Sequence, residues 1–223
     1  MNFLSHFYID KNEENASFIV GVCTPDLVSL YNREIRIKHL PILPSHSESY
    51  IAFTKGILRH FEADKVFHSS PFFLQETEKV GIFLKTHFKD SGLKRSFFVA
   101  HVLVELMIDK ILIAQDPQLI PDFYTHFEKV GHLQIAEMTQ IAVGKEIETY
   151  PLFIQKFLQN QYLYHYSEYE YIAYILQRIV RRVGITDTEY LKSEVLAAYL
   201  QQYQTELSQN IEGLFLYMNE KMR

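Results

Sequence analysis

The sequence predicts an all-α fold, a multi-helix bundle formed as a single domain over residues 1–223. Three observations carry this expectation. Gly and Pro are sparse, at 8 and 7 residues. Apolar residues recur at intervals of three and four, and no stretch alternates apolar with polar as a half-buried strand would. A hydrophobic content of 48% in 223 residues supports a sizeable core. No Ser/Gly-rich, Pro-rich or low-complexity run divides the chain, so one compact domain is expected.

The spacing places helices near 2–10, 15–31, 47–68, 71–89, 95–114, 121–130, 132–144, 150–163, 168–183 and 187–221. The helix from 47 follows Ser45-His46-Ser47-Glu48, which has the spacing of a capping box, where a hydroxyl and a later carboxylate satisfy first-turn N–H groups. The next helix has Ser70 as its cap and Pro71 in the first helical position, and Gly92 marks its stop. The helix 95–114 is apolar around nearly its whole circumference, as at the centre of a bundle. Gly131 separates the two helices that follow. The helix 168–183 has a box in Ser167 to Glu170 and a stop at Gly184. The last has a box in Thr186 to Glu189 and contains Gly213, where a kink or a tight packing contact is expected.

The formal charge of −5 argues against nucleic acid as a general partner, because phosphate contacts need clustered Lys and Arg. The longest apolar run, Phe97 to Ala114, is interrupted by His101, Glu105, Asp109 and Lys110, which suits a buried helix and not a membrane span. Cys23 is the single cysteine and forms no internal disulfide. The start MNFLSHFYIDKNEEN has neither a basic n-region nor a cleavable apolar stretch, so the expected location is the cytoplasm.

Two helices carry ligand-type residues on stripes that should be apolar. One sets His60, Asp64 and His68 four apart; the other sets His101, Glu105 and Asp109 four apart. Four residues advance about 6 Å and turn about 40° past a full circle, so neighbours share a face while the outer members lie about 12 Å apart. Two of each three can therefore reach one ion. Imidazole and carboxylate together suit Mn, Fe, Zn or Mg, and inward-facing sets of this kind build metal sites in helical bundles. Taken singly, each residue reads more readily as a satisfied core or capping group; the pairing on two helices is what points to metal. His68 and Asp109 are the weaker members, since either could be an exposed residue at a helix end.

The blocks "MNFLSHFYI", "FIVGVCTPDLV", "GILRHFEAD", the apolar helix and "YLYHYSEYEYIAYILQRIVRR" follow in order the pattern of bacterial acyl carrier protein phosphodiesterases. The chain resembles that family over residues 1 to about 183. The resemblance implies a divergent all-helical relative of the HD-type metal-dependent phosphohydrolases, Mn-dependent and able to hydrolyse 4′-phosphopantetheine from holo acyl carrier protein. Its opening motif falls on Asn2, Phe3, Leu4 and His6, its second on Gly21 through Asp26, and its third on Gly56, Ile57, His60 and Asp64. A later motif, two acids four apart with His after the second, aligns with His101 and Glu105. The chain departs there. His101 replaces the first acid, Leu106 the histidine, and His68 the acid expected four after Asp64, which allows a different metal or substrate.

The resemblance thus implies a shell of His6, Asp26, His60, Asp64, His101 and Glu105 around a divalent ion, Mn first, with Fe, Zn or Mg as alternatives. Asp26 and Asp64 are the candidates for bridging or base roles. Read without it, His6 is an ordinary helix residue and Asp26 a local cap after Thr24-Pro25. Arg178, Arg181 and Arg182 form one basic patch, so Arg178 and Arg182 are candidate phosphate contacts, although basic residues in a last helical turn also offset the helix dipole. Arg33, Arg36 and Lys38 are candidates to meet an acidic carrier protein, or a solvated loop. The Tyr-rich stretch around 161–174 either lines a cleft or packs in the core. The expected function is a phosphodiesterase acting on acyl carrier protein or another phosphate ester. The alternatives are a binding protein that keeps the fold without catalysis, and a structural domain whose His and acids form buried pairs such as His60 with Glu105.

Overall fold

The computed structural model describes residues 1–37, 40, 42–43 and 45–222. Among these no strand occurs, and their regular structure is helical, as the spacing predicts. No helix of the described residues is long and apolar enough to cross a membrane. The helices fall into two compact units, one of residues 1–65 and 117–163, the other of 66–116 and 164–223.

Unit 1 contains α1 (Phe3–Ile9), α2 (Ala16–Tyr31), most of α3 (Glu48–His68), α6 (Leu119–Val130), α7 (His132–Val143) and α8 (Tyr150–Asn160). Asn15 caps α2, its side-chain oxygen accepting from the Phe18 N–H at 3.2 Å. The core is built from rings spaced along four helices. Phe7 meets Phe123 edge-on at 5.7 Å, Phe123 meets Phe127 at 4.7 Å, and Phe157 reaches Phe127 at 5.6 Å and Phe3 at 5.9 Å. Tyr162 joins this cluster against Phe3 and Phe157, and Tyr166 of unit 2 is buried too, so this part of the Tyr-rich stretch packs in the core.

Unit 2 contains the end of α3, then α4 (Pro71–Phe88), α5 (Ser96–Gln115), α9 (Tyr169–Arg182), α10 (Glu194–Ser208) and α11 (Ile211–Lys221). Ser70 caps α4 as expected, accepting from the Phe73 N–H at 3.1 Å, with Pro71 in the first turn. The middle of the unit is α5, buried from Val99 to Leu112 apart from His101 and Glu105, and packed against α4, α9 and α10. Lys110 lies on this apolar helix, with the carboxylates of Glu170 and Glu168 acting on it. Its ammonium donates to the Ser167 carbonyl and sits 4.2 Å from the centre of the Tyr169 ring, and burial holds its pKa below the ordinary lysine value.

Several helix ends differ from the expectation, each for a local reason. Ser47, not Ser45, caps α3, accepting from the Tyr50 N–H at 3.2 Å. The box at Ser167 does not form, because that hydroxyl donates backward to the Tyr164 carbonyl. Thr188 precedes a short 3-10 turn over 189–192 and makes no side-chain cap. The single helix expected over 187–221 is broken twice. Ser193, in extended backbone, starts α10 by accepting from the Leu196 N–H, and Asn210 ends that run, its amide donating to the Glu206 carbonyl at 3.3 Å. The interruption is thus at Asn210 and not at Gly213, where an added Cβ would meet nothing within 4 Å.

Candidate metal centre

Unit 1 draws its donors from three helices: His6 from α1, Asp26 from α2, and His60 and Asp64 from α3. The closeness of α2 and α3 makes this possible. A Cβ on Gly21 would lie 2.0 Å from the Phe53 carbonyl oxygen, and one on Gly56 would lie 2.0 Å from that of Phe18. Backbone therefore meets backbone where the two helices cross, and only glycine fits on either side. One turn beyond Gly56 comes His60, which is thereby brought onto α2: its Nδ1 lies 2.8 Å from the carbonyl oxygen of Val22.

That contact fixes the tautomer. A carbonyl oxygen only accepts, so Nδ1 carries the ring proton and donates it. Burial, with His6 alongside, pushes the His60 pKa well below the usual histidine value, so the ring is neutral near pH 7. Its Nε2 then presents a lone pair, and it faces Asp64 Oδ2 at 3.6 Å. Two electron-rich atoms confront each other across a gap that suits a cation.

The other donors converge on the same place. The His6 ring stacks on His60 with centroids 3.9 Å apart and planes 20° from parallel, which disfavours two imidazolium ions side by side. His6 Nε2 lies 3.3 Å from Asp64 Oδ1 and 4.0 Å from Asp26 Oδ2. One ligand atom each from His6, Asp26 and His60 fall within 4.8 Å of one another. The imidazoles form a buried floor, with side chains 0% and 3% exposed, while Asp26 and Asp64 are 26% and 32% exposed and form the rim. Burial alone would raise the Asp64 pKa, but the His6 side chain, the Met1 ammonium at 2.7 Å from Oδ1 and His60 outweigh it and hold the carboxylate well below its usual range.

Asp26 does not cap a turn, as a local reading of Thr24-Pro25 suggests. The helix α2 runs on through Pro25, and Asp26 lies in its interior. Pro25 has no N–H to give the Gly21 carbonyl, so the helix loses one internal bond in the turn that faces α3. The Thr24 hydroxyl folds back onto the Val20 carbonyl at 2.8 Å. A groove lined by Asn15, Phe18, Glu48, Ile51 and Lys55 among others lies elsewhere on unit 1 and contains none of these donors.

His101 and Glu105 belong to unit 2, where they meet His68. Glu105 Oε1 lies 3.0 Å from His101 Nε2 and 3.1 Å from His68 Nε2, and the two rings stack with centroids 4.8 Å apart. These three again place donor atoms within 4.8 Å of one another. His68, expected to be a weak member at a helix end, is thus one of the group. Asp109, expected as another exposed end, is fully buried and belongs to neither group. Arg178 and Arg182 are exposed on the last turns of α9, the Arg178 guanidinium donating to the Tyr174 hydroxyl at 2.9 Å. The Arg36 guanidinium donates to the carbonyls of Arg33 and Ile35, as in a solvated loop, and Lys38 lies outside the described residues.

No family model, no curated protein and no solved structure matches this chain. The donor chemistry is the remaining guide to function. Two imidazoles and two carboxylates on three helices fit a divalent first-row ion, and the orienting bond from His60 Nδ1 to a backbone carbonyl is the outer-shell partner such ligands usually have. Sequence spacing reveals the His60 and Asp64 pair, but the Val22 carbonyl and the Met1 ammonium carry no side-chain signal.

Proposed function

We propose that the protein is a metal-dependent phosphodiesterase whose reacting centre is the His6, Asp26, His60 and Asp64 group of unit 1. The observation that supports it most is the neutral His60, its proton fixed on Nδ1 by Val22, aiming a bare Nε2 at the Asp64 carboxylate. A divalent ion bound there supplies a water of lowered pKa and a Lewis acid for the phosphoryl oxygens. His6 and His60 hold the ion from the buried side. Asp26 and Asp64 hold it from the side that substrate reaches. Asp64, held well below the usual carboxylate range, is a poor proton acceptor near neutral pH and serves as a ligand, which leaves Asp26 as the better candidate for a base or bridging role.

The substrate proposed is the 4′-phosphopantetheine phosphodiester of holo acyl carrier protein or a related phosphate ester, on the motifs that resemble that family, and the ion proposed is Mn. A second reading, a carrier-protein binder without catalysis, is favoured by His68, His101 and Leu106, which stand where that family has acids and a histidine. Incubating the purified protein with Mn and holo acyl carrier protein, then weighing the carrier, separates the two. Catalysis predicts a carrier lighter by the phosphopantetheine group, and no such product with His60→Ala or Asp26→Asn. A carrier of unchanged mass after exhaustive incubation rejects that substrate. A chain that retains no metal, and melts at the same temperature with and without chelator, rejects the centre itself.

A further inference from the structure

The phosphodiesterase reading uses none of the His68, His101 and Glu105 group, which lies wholly in unit 2. We propose that these three residues form a separate cation site of zinc type. The inference stands independently of the function proposed for unit 1.

The geometry is that of a site with three protein ligands. Both Nε2 atoms aim at one oxygen, Glu105 Oε1, from 3.0 and 3.1 Å. Zinc bonds of about 2.0–2.1 Å at tetrahedral angles put neighbouring ligand atoms about 3.3 Å apart. Two of the three donor pairs therefore stand within a few tenths of an ångström of the spacing that an ion would impose, and the third lies within 4.8 Å. The two rings stack with centroids 4.8 Å apart and are trained on one carboxylate, and two neutral imidazoles with one carboxylate would leave a divalent ion a net charge of +1.

The surroundings hold this arrangement in place. Phe73 presses edge-on against both rings, at 5.1 Å from His68 and 4.8 Å from His101, and Phe67 backs Phe73 at 4.5 Å. Glu105 comes from the buried helix α5 and is 14% exposed, while His68 and His101 are 32% and 28% exposed, so the fourth position faces solvent. A helical pair at i and i+4 closed by a third residue from another helix is also a stiff frame.

The ligand class follows from the donors. Two nitrogens and one carboxylate favour Zn and similar borderline ions over Mg or Ca, which need mostly oxygen. Unit 1, with an equal number of carboxylates and imidazoles, is the harder of the two sets.

Chelator-stripped full-length protein, titrated with zinc in the presence of excess Mg and read by metal analysis after gel filtration, tests the proposal. His60→Ala removes unit 1 as a competitor. That variant is expected to retain one equivalent of zinc, and adding Glu105→Gln to it is expected to abolish the retained equivalent. Circular dichroism checks that each variant is folded. Should the double variant not fold, His68→Ala in the same background replaces it, since that side chain is partly exposed. A folded His60→Ala protein that retains no zinc overturns the proposal, as does a folded second variant that retains as much as His60→Ala alone. Failure of the unit 1 reading looks different, because wild type and His60→Ala then retain the same single equivalent.

Discussion

Replacing Gly56 with alanine tests the crossing on which the unit 1 group depends. The new Cβ would lie 2.0 Å from the Phe18 carbonyl oxygen and 2.8 Å from the Val22 nitrogen, against an ordinary contact that begins at 3.4 Å. The helices must therefore separate by about 1.4 Å at this point, the difference between 3.4 and 2.0 Å, and both neighbours are backbone that cannot swing aside. Overpacking of this kind costs roughly 1–3 kcal/mol. The same displacement takes His60 Nδ1 from 2.8 Å to beyond bonding distance of the Val22 carbonyl, leaving a buried donor unmade at about 1–3 kcal/mol. Alanine returns about 0.5–1 kcal/mol through its better helix propensity. The net expectation is a loss of about 1–5 kcal/mol, and in a chain of this size each kcal/mol moves the melting temperature by roughly 2–4 °C.

The assay is a thermal melt and a urea titration beside Gly213→Ala as the opposite case. Gly213 also lies inside a helix, α11, but a Cβ there meets nothing within 4 Å, so alanine is expected to stabilise by about 0.5–1 kcal/mol. The reasoning is refuted if Gly56→Ala melts at or above the wild-type temperature. It is also refuted if Gly56→Ala is destabilised but binds Mn as tightly as wild type, since the orientation of His60 would then not depend on the crossing.

Three further outcomes are expected. Ser70→Ala removes the cap of α4 and should lower stability by about 1 kcal/mol in urea titration, whereas Ser45→Ala and Ser167→Ala, which cap nothing, should leave the midpoint within error. The Glu105 carboxyl is raised by burial but held below its ordinary pKa by the positive charge of the Met1 ammonium and then by hydrogen bonds from His101 and His68, so its contribution is complete above about pH 5 and lost as the pH falls below about 4; urea midpoints from pH 7 to pH 3 should show a steeper acid loss for wild type than for Glu105→Gln. Asp10 accepts from Arg59 Nε at 3.2 Å through both oxygens, so Asp10→Asn should weaken unit 1 by about 0.5–1.5 kcal/mol in the same titration, and in added salt the difference should shrink.

Much of this was legible because it is local. Spacing by three and four fixed the helical class, Ser70-Pro71 marked a true start, and the i, i+4 pairs named His60 with Asp64 and His101 with Glu105. The errors arose where the outcome depends on backbone conformation or on partners distant in sequence. Ser45 and Ser47 are both hydroxyls just before α3, and only the contact of Ser47 with the Tyr50 N–H tells which one caps it. The expected kink or tight contact at Gly213 is not where the last run breaks; the break comes at Asn210, whose side chain finds the Glu206 carbonyl one turn back. The division between the two units passes at 65–66, inside the last turn of α3, where no Pro, Gly or polar run announces it. Gly21 and Gly56 enter the sequence reading only as motif positions, and their packing role is visible only when each is set against the other helix's carbonyls.

The two donor groups show how far an i, i+4 pair determines chemistry. In each unit one helix supplies an imidazole and a carboxylate one turn apart, and in that respect the stripes at 60 and 101 are alike. The difference comes from the third partner, which spacing cannot specify. In unit 1 a glycine crossing lets α2 deliver both the Val22 carbonyl that orients His60 and the carboxylate of Asp26, while α1 adds His6; counted with Asp64, 3.3 Å from His6 and 3.6 Å from His60, oxygen makes up half of the set. In unit 2 the end of α3 adds a second imidazole, steadied by Phe73, and nitrogen prevails. Since ion preference follows the ratio of oxygen to nitrogen donors, the same sequence pattern is expected to select a harder ion in one unit and a softer one in the other. Exchanging His68 for aspartate would reverse the ratio in unit 2, from two nitrogens and one oxygen to one nitrogen and two oxygens. It should shift the preference of unit 2 from Zn toward Mn, which a competition titration in the His60→Ala background would read directly; an unchanged preference would mean that donor type is not what sets it.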